Sequence, residues 1–252
     1  MFYADSHIHL QDYKTKDIKS IVQNAQNFNV RCFVNVSAHP SDWAQIEALA
    51  RDESAVIPAY GVHPWYVAAA PVGWAEKLER HLIENSCAWV GECGFDRLKN
   101  ADTVVQTEVF ELQLALAQKY GRPLIIHAVK ADDIMAQYFD RLPARTVFHS
   151  WTGSVEWGRQ IQAHGFFIGL NFSILRKKNV AELVQNVDLT QLLLETDGPY
   201  QSGEKNVETM PQNLPYLVQK IAQLRGVDGE ELAQTLYLNW LNFSGGNHAT
   251  NA

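Results

Sequence analysis

The segment Asp5-Ser6-His7-Ile8-His9 places two imidazoles two residues apart, directly behind a short apolar run. In a β-strand, residues i and i+2 point to one face, so His7 and His9 converge and can share a metal ion. Chemistry of the same kind recurs along the chain. His63 follows Gly61-Val62, Glu92 follows Val90-Gly91, His127 ends Leu124-Ile125-Ile126, His149 follows Val147-Phe148, and Asp197 follows Leu194-Glu195-Thr196. Taken singly, each has an ordinary structural explanation as a hydrogen-bonded rim histidine or a turn-capping carboxylate. Their coincidence at the ends of apolar runs does not, because only His39, His81, His164 and His248 lie elsewhere. Imidazoles with carboxylates form a nitrogen and oxygen ligand set suited to zinc, manganese, iron or, less well, magnesium. The set is too large for one tetrahedral site. Two metals ~3.5–4 Å apart, sharing a carboxylate, would use it fully and create both nucleophile and electrophile. Two divalent cations against two carboxylates leave a local charge of about +2, which draws in an anionic substrate.

Residues so far apart need a scaffold that gathers strand ends. Short β-branched or aromatic runs at 2–7, 31–36, 55–62, 88–91, 123–127, 146–149, 165–169 and 191–195 read as strands. Amphipathic segments lie between them, at 17–28, 41–52, 74–84, 104–120, 131–140, 154–164 and 177–186, and two more cover 211–225 and 229–242. In 104–120, Val105, Val109, Leu112, Leu116 and Ala117 recur at helical steps. Eight strands alternating with helices imply a parallel (β/α)₈ TIM barrel, closed by the last helices. In that fold the C-terminal strand ends carry the chemistry, and the residues above fall at the ends of six strands. An open doubly wound sheet is disfavoured, because His7-Ile8-His9-Leu10 stands where a Gly-rich phosphate turn belongs.

Length and composition agree. The 252 residues suit one domain spanning 1–252, and 46% apolar with 19% charged residues describe a folded protein. No secretory leader or membrane-length apolar run is evident, which places the chain in the cytoplasm. Cys32, Cys87 and Cys93 lack metal or disulfide spacing and read as buried thiols. A formal charge of −7 disfavours sequence-independent binding to duplex nucleic acid. Residues 245–252 read as a frayed tail, and the default assembly is a monomer.

With these residues in view, the chain resembles the TatD family of metal-dependent deoxyribonucleases, a branch of the amidohydrolase-like barrels. The resemblance runs from residue 1 to about 243 through the ordered motifs DSHIHL, YGVHPW, VGECGFDR, PLIIHA, FHSWTG and LLLETDGPY, with LNWLNF as a closing segment. It implies a first metal held by His7, His9, Glu92 and Asp197, and a second held by Glu92, His127 and His149. Glu92 would bridge them, Asp197 would orient or deprotonate the attacking water, and His63 would stand near the substrate oxygens. Asp96 is either a support to this shell or a loop cap. The implied reaction is metal-dependent phosphodiester hydrolysis at DNA ends, exonuclease-like in the 3′-5′ sense, and a recessed barrel mouth favours single strands.

Two features depart from the family pattern. Val129 stands where an arginine usually follows the strand-five histidine, and Gln201 to Glu208 replace a basic segment. Arg97, Lys130 and Lys205 are the candidates to hold phosphate instead, the two lysines only as point charges. The altered clamp keeps two alternatives open. One is a binuclear hydrolase of a small phosphoester, lactone or amide; the other is a weakly catalytic scaffold using apolar faces such as 65–70.

Overall fold

The computed structural model describes residues 2–14, 16–99, 102–202 and 207–246. Among them, eight parallel strands pair in sequence order: β1 (Tyr3–Ile8), β2 (Val30–Val36), β3 (Val56–Tyr60), β4 (Trp89–Asp96), β5 (Leu124–Val129), β6 (Thr146–Phe148), β7 (Phe167–Leu170) and β8 (Leu192–Leu194). Helices α1 (Ile18–Asn27), α2 (Trp43–Asp52), α3 (Trp74–Glu84), α4 (Thr103–Tyr120), α5 (Asp132–Met135), α6 (Val155–Ala163) and α7 (Val180–Asn186) alternate with them, followed by α8 (Leu214–Arg225) and α9 (Gly229–Ser244). The fold is the expected (β/α)₈ barrel of the amidohydrolase-like kind.

Strand alternation creates two cores. Cys32, Val34 and Val36 of β2, with Ile57, Ala59, Ile125, Val147, Phe167 and Leu193, fill the barrel interior. Phe33, Leu124, Ile126 and Ile168 face outward against the helices. Helix α9 plugs the lower end. Trp240 and Phe243 pack on Trp89 at ring-centroid distances of 5.7 and 5.2 Å, and Phe243 meets Phe167 at 5.0 Å. Both plug residues are buried, so truncating either to alanine costs about 3–5 kcal/mol. Asn239 on the same helix donates to the Leu189 and Leu192 carbonyls at 2.6 and 2.8 Å, tying the plug to β8.

The alternation breaks where the site needs it. In β1, Ala4 packs toward the interior and Ile8 outward, with a register shift between Asp5 and Ile8. The extra residue turns His7 and His9 into the barrel mouth. In β4, Trp89 faces the interior while Cys93 belongs to the outer core, again with a register shift between Val90 and Cys93. Gly91 permits it: its φ of +148° suits glycine, and a Cβ there would lie 2.6 Å from that of Ile125. Trp89 and Glu92, three apart, therefore share a face.

Some boundaries differ from expectation. Strand β4 runs on through Asp96, because Glu92 is a buried strand residue rather than the start of a loop. The helix expected over 131–140 is the four-residue α5 followed by a 3₁₀ turn, Ala136–Arg141. Leu142 after it is extended, as the residue before Pro143 must be. Pro64–Ala69 form a 3₁₀ helix at the cavity mouth. Cys32 and Cys93 are buried, whereas Cys87 is half-exposed, which corrects the uniform burial expected of the thiols. Of residues 245–252, Gly245 and Gly246 form the turn ending α9, with φ of +75° and +73°; the others lie outside the described residues.

Candidate metal centre

Glu92 sits at the top of the barrel with a different group of histidines on each oxygen. Its Oε1 lies 2.6 Å from His149 Nε2, 2.7 Å from His127 Nδ1 and 3.4 Å from His63 Nε2. Its Oε2 lies 3.4 Å from His7 Nε2 and 3.9 Å from His9 Nε2. Asp197 Oδ1 completes the second group, 3.4 Å from His9 Nε2 and 3.8 Å from His7 Nε2. The two Nε2 atoms of His7 and His9 are 3.2 Å apart, a separation that two ligands of one cation would have. Residues read from the sequence at the ends of six strands thus meet around one carboxylate.

The hydrogen bonds behind the rings decide which nitrogen faces the centre as a lone pair. His9 Nδ1 lies 2.8 Å from the Val36 carbonyl, which can only accept, so the proton is on Nδ1 and Nε2 is free to ligate. His127 lies between two carboxylates, with Nε2 3.1 Å from Asp96 Oδ2 and Nδ1 2.7 Å from Glu92 Oε1; a proton kept on the Asp96 side would leave Nδ1 to ligate a cation. His149 Nδ1 lies 3.5 Å from Glu195 Oε1 as an ion-pair contact without a hydrogen bond, while its Nε2 faces Glu92. His63 has the opposite polarity. Its Nδ1 accepts the Trp65 backbone N–H at 3.0 Å, so in the neutral ring the proton is on Nε2 and points toward Glu92. His63 is therefore built as a donor, in contrast to His9. His7 Nδ1 is buried without a hydrogen-bond partner.

Electrostatics favour a cation. Burial pushes the Glu92 carboxyl up, but His149, His63 and His127 overcome it and hold it well below the usual carboxylate range. Asp197 is likewise lowered: burial opposes ionisation, and His9, His7 and His149 outweigh it. Both carboxylates are in the form that binds metal. Burial takes His63 down to about 4, so it is neutral near pH 7. Burial also lowers His149, but Glu92 and Glu195 raise it well above the ordinary histidine value. The ionised carboxylates fit divalent cations in charge, and a bound cation would displace the protons that Glu92 and Asp197 draw onto His9, His127 and His149.

Asp96 is both things the sequence allowed. Its Oδ1 caps the loop by accepting the N–H groups of Leu98 and Lys99 at 2.8 and 2.9 Å. Its Oδ2 accepts the Trp65 indole N–H at 2.7 Å besides facing His127. Glu195, not singled out in the sequence, is completely buried behind His149 and accepts the Ser150 N–H at 2.6 Å.

The centre forms the floor of a cavity of about 1320 Å³. Lys130 lines it. Arg97 does not: its guanidinium pairs with Asp133 at 2.8 Å and bonds the Lys130 carbonyl, which turns it from the cavity. Lys205 lies outside the described residues. Lys14, Lys99, Arg176 and Lys177 supply cationic lining that no motif had marked.

A (β/α)₈ barrel with imidazoles and carboxylates gathered at its C-terminal mouth is the layout of a metal-dependent hydrolase. The sequence profile of the family described as TatD related DNase matches residues 4–244, and the chain belongs to that family. The 3′-5′ ssDNA/RNA exonuclease TatD of Escherichia coli is 28% identical over 241 residues, covering 89% of this chain and 91% of the relative. An uncharacterized metal-dependent hydrolase of Methanocaldococcus jannaschii is 27% identical, covering 96% of each chain. The crystal structure of YjjV, a TatD homolog from Escherichia coli, superposes with a TM-score of 0.88 at 26% identity, covering 96% of this chain and 97% of that one. No helix among the described residues is long and apolar enough to cross a membrane.

Proposed function

We propose that this protein is a two-metal exonuclease that removes nucleotides from single-stranded DNA ends in the 3′-5′ direction, acting as a cytoplasmic monomer. His7, His9, Glu92 and Asp197 hold one divalent ion, and Glu92, His127 and His149 hold the other, with zinc, manganese and magnesium as the candidates. The observation that carries the reading is the convergence of five imidazoles on the two oxygens of Glu92, His149, His127 and His63 on one and His7 and His9 on the other, with Asp197 beside the second group. Bound divalent ions would polarise the phosphoryl oxygens and lower the pKa of an attacking water. Asp197, ionised and beside His7 and His9, orients that water and takes its proton. His63 donates from Nε2 to a non-bridging or departing oxygen. Lys130 offers a cation for the neighbouring phosphate. The related exonuclease from Escherichia coli supports the choice of substrate.

The experiment is cleavage of end-labelled single-stranded DNA by metal-stripped protein, with Mg²⁺, Mn²⁺ or Zn²⁺ restored, beside His127→Ala. Stepwise shortening that needs both metal and His127 is the expected result. The second reading, hydrolysis of a small phosphoester, lactone or amide, is favoured by Val129 at the arginine position and by the diversion of Arg97 to Asp133. Turnover of a small ester with no cleavage of DNA would select it. Cleavage of internal phosphates in closed circular DNA as fast as of ends would remove the exonuclease assignment.

A further inference from the structure

The nuclease reading leaves open how the recessed centre grips a flexible strand, and two aromatic rings at its mouth supply an answer that rests on that reading. Trp65 and Tyr200 are 40% and 52% exposed, and both line the cavity. Trp65 stands on the Oε1 side of Glu92: its ring meets the His63 ring at 4.8 Å and 72°, and its indole N–H is fixed on Asp96 at 2.7 Å. Tyr200 stands on the Oε2 side: its ring meets the His9 ring at 5.6 Å and 71°, and its hydroxyl donates to Asp12 at 2.9 Å. Each ring is held by one hydrogen bond and by edge contacts, Trp65 to His63 and also to His127 at 6.3 Å and Tyr200 to His9, so its position is set before a ligand arrives. Such large apolar surface at the mouth of an ionic cavity gains by being covered.

The cover on Trp65 is exchangeable. Lys99 Nζ lies 3.5 Å from the ring centroid, a cation–π contact made by an exposed side chain. A nucleobase taking that face frees the ammonium for the adjoining phosphate, so ring and cation both keep a partner. We propose that Trp65 and Tyr200 are stacking platforms for the two nucleobases that flank the scissile phosphate. The ligand class is a base-bearing phosphodiester of any sequence, since every base offers a π-face.

The test uses the full chain loaded with Mn²⁺ and labelled oligothymidylates of three kinds: intact, abasic at the terminal nucleotide, and abasic at the penultimate one. Anisotropy reads binding, and chain shortening reads hydrolysis. The wild type binds the intact end about tenfold tighter than either abasic form. Trp65→Ala loses discrimination at one position and Tyr200→Ala at the other, while Trp65→Phe, which keeps a ring but not the bond to Asp96, retains most of it. Circular dichroism of each variant separates lost stacking from lost fold. Discrimination that survives both alanine variants, or is missing in the wild type, overturns the platforms. Hydrolysis of all three oligomers without preference leaves the nuclease standing and removes the platforms; base-dependent binding without hydrolysis does the reverse.

Discussion

Glu92 is the residue on which the centre turns, since both of its oxygens are engaged by separate histidine groups. Glu92→Ala is expected to lower kcat by about 10³-fold or more while circular dichroism stays unchanged, because the side chain meets the mouth and not the apolar core. Asp96→Asn tests the support behind it. The amide cannot hold the His127 tautomer as a carboxylate does, so divalent-ion affinity should fall about 10–100-fold in a metal titration. At this scale much was legible: the spacing of His7 and His9 announced a shared face, and each ligand candidate ended an apolar run. Glu195 was not, because its role comes from lying against His149 across the barrel, a contact absent from local sequence. Arg97 misled for the same reason, its partner Asp133 being far along the chain.

Among the elements, all eight strands were legible although β6 and β8 have only three residues each, whereas the helix read over 131–140 shortened to the four-residue α5. The register shifts in β1 and β4 were illegible, although Gly91 and Gly94 in β4 were their trace. Helix α3 carries a test of packing. His81 stacks on Tyr60 at 4.5 Å and meets Trp43 edge-on at 5.6 Å, with its Nε2 unpartnered. Burial lowers its pKa below 6.5; Glu47 and Glu84 oppose that shift, and Lys77 and Arg80 add to it. The unfolded chain therefore takes the proton first. The contribution is present above the ordinary histidine value of 6.5 and is lost as pH falls through the lowered folded value. Denaturation midpoints of wild type and His81→Phe should diverge with acidification, the wild type losing more; a constant difference between pH values would refute the assignment. The cap of α9 is a milder lever. Asp228 accepts the N–H groups of Glu230 and Glu231 at 2.7 and 3.1 Å, and Asp228→Ala should cost about 1 kcal/mol by chemical denaturation.

For the whole molecule, the alternation of strand and helix along the chain was enough to name the barrel, and the barrel then told where to look for the site. Metal is expected to stabilise this architecture as well as to activate it, because the proposed ligands come from β4, β5, the ends of β1 and β6, and the loop after β8. Chelation should lower the thermal midpoint by roughly 5–10 °C relative to protein with free ion at about 100 times its Kd, and Mn²⁺ or Zn²⁺ should restore it. The seam between β1 and β8 gives this a temporal side. There the Asp197 N–H bonds the His7 carbonyl at 2.9 Å and the His9 N–H bonds the Gly198 carbonyl at 2.8 Å. The first two proposed ligands to leave the ribosome thus wait for the last one. A growing chain holds His63, Glu92, His127 and His149 well before Asp197 emerges, so the proposed group of His7, His9 and Asp197 is expected to close only after synthesis has passed that point.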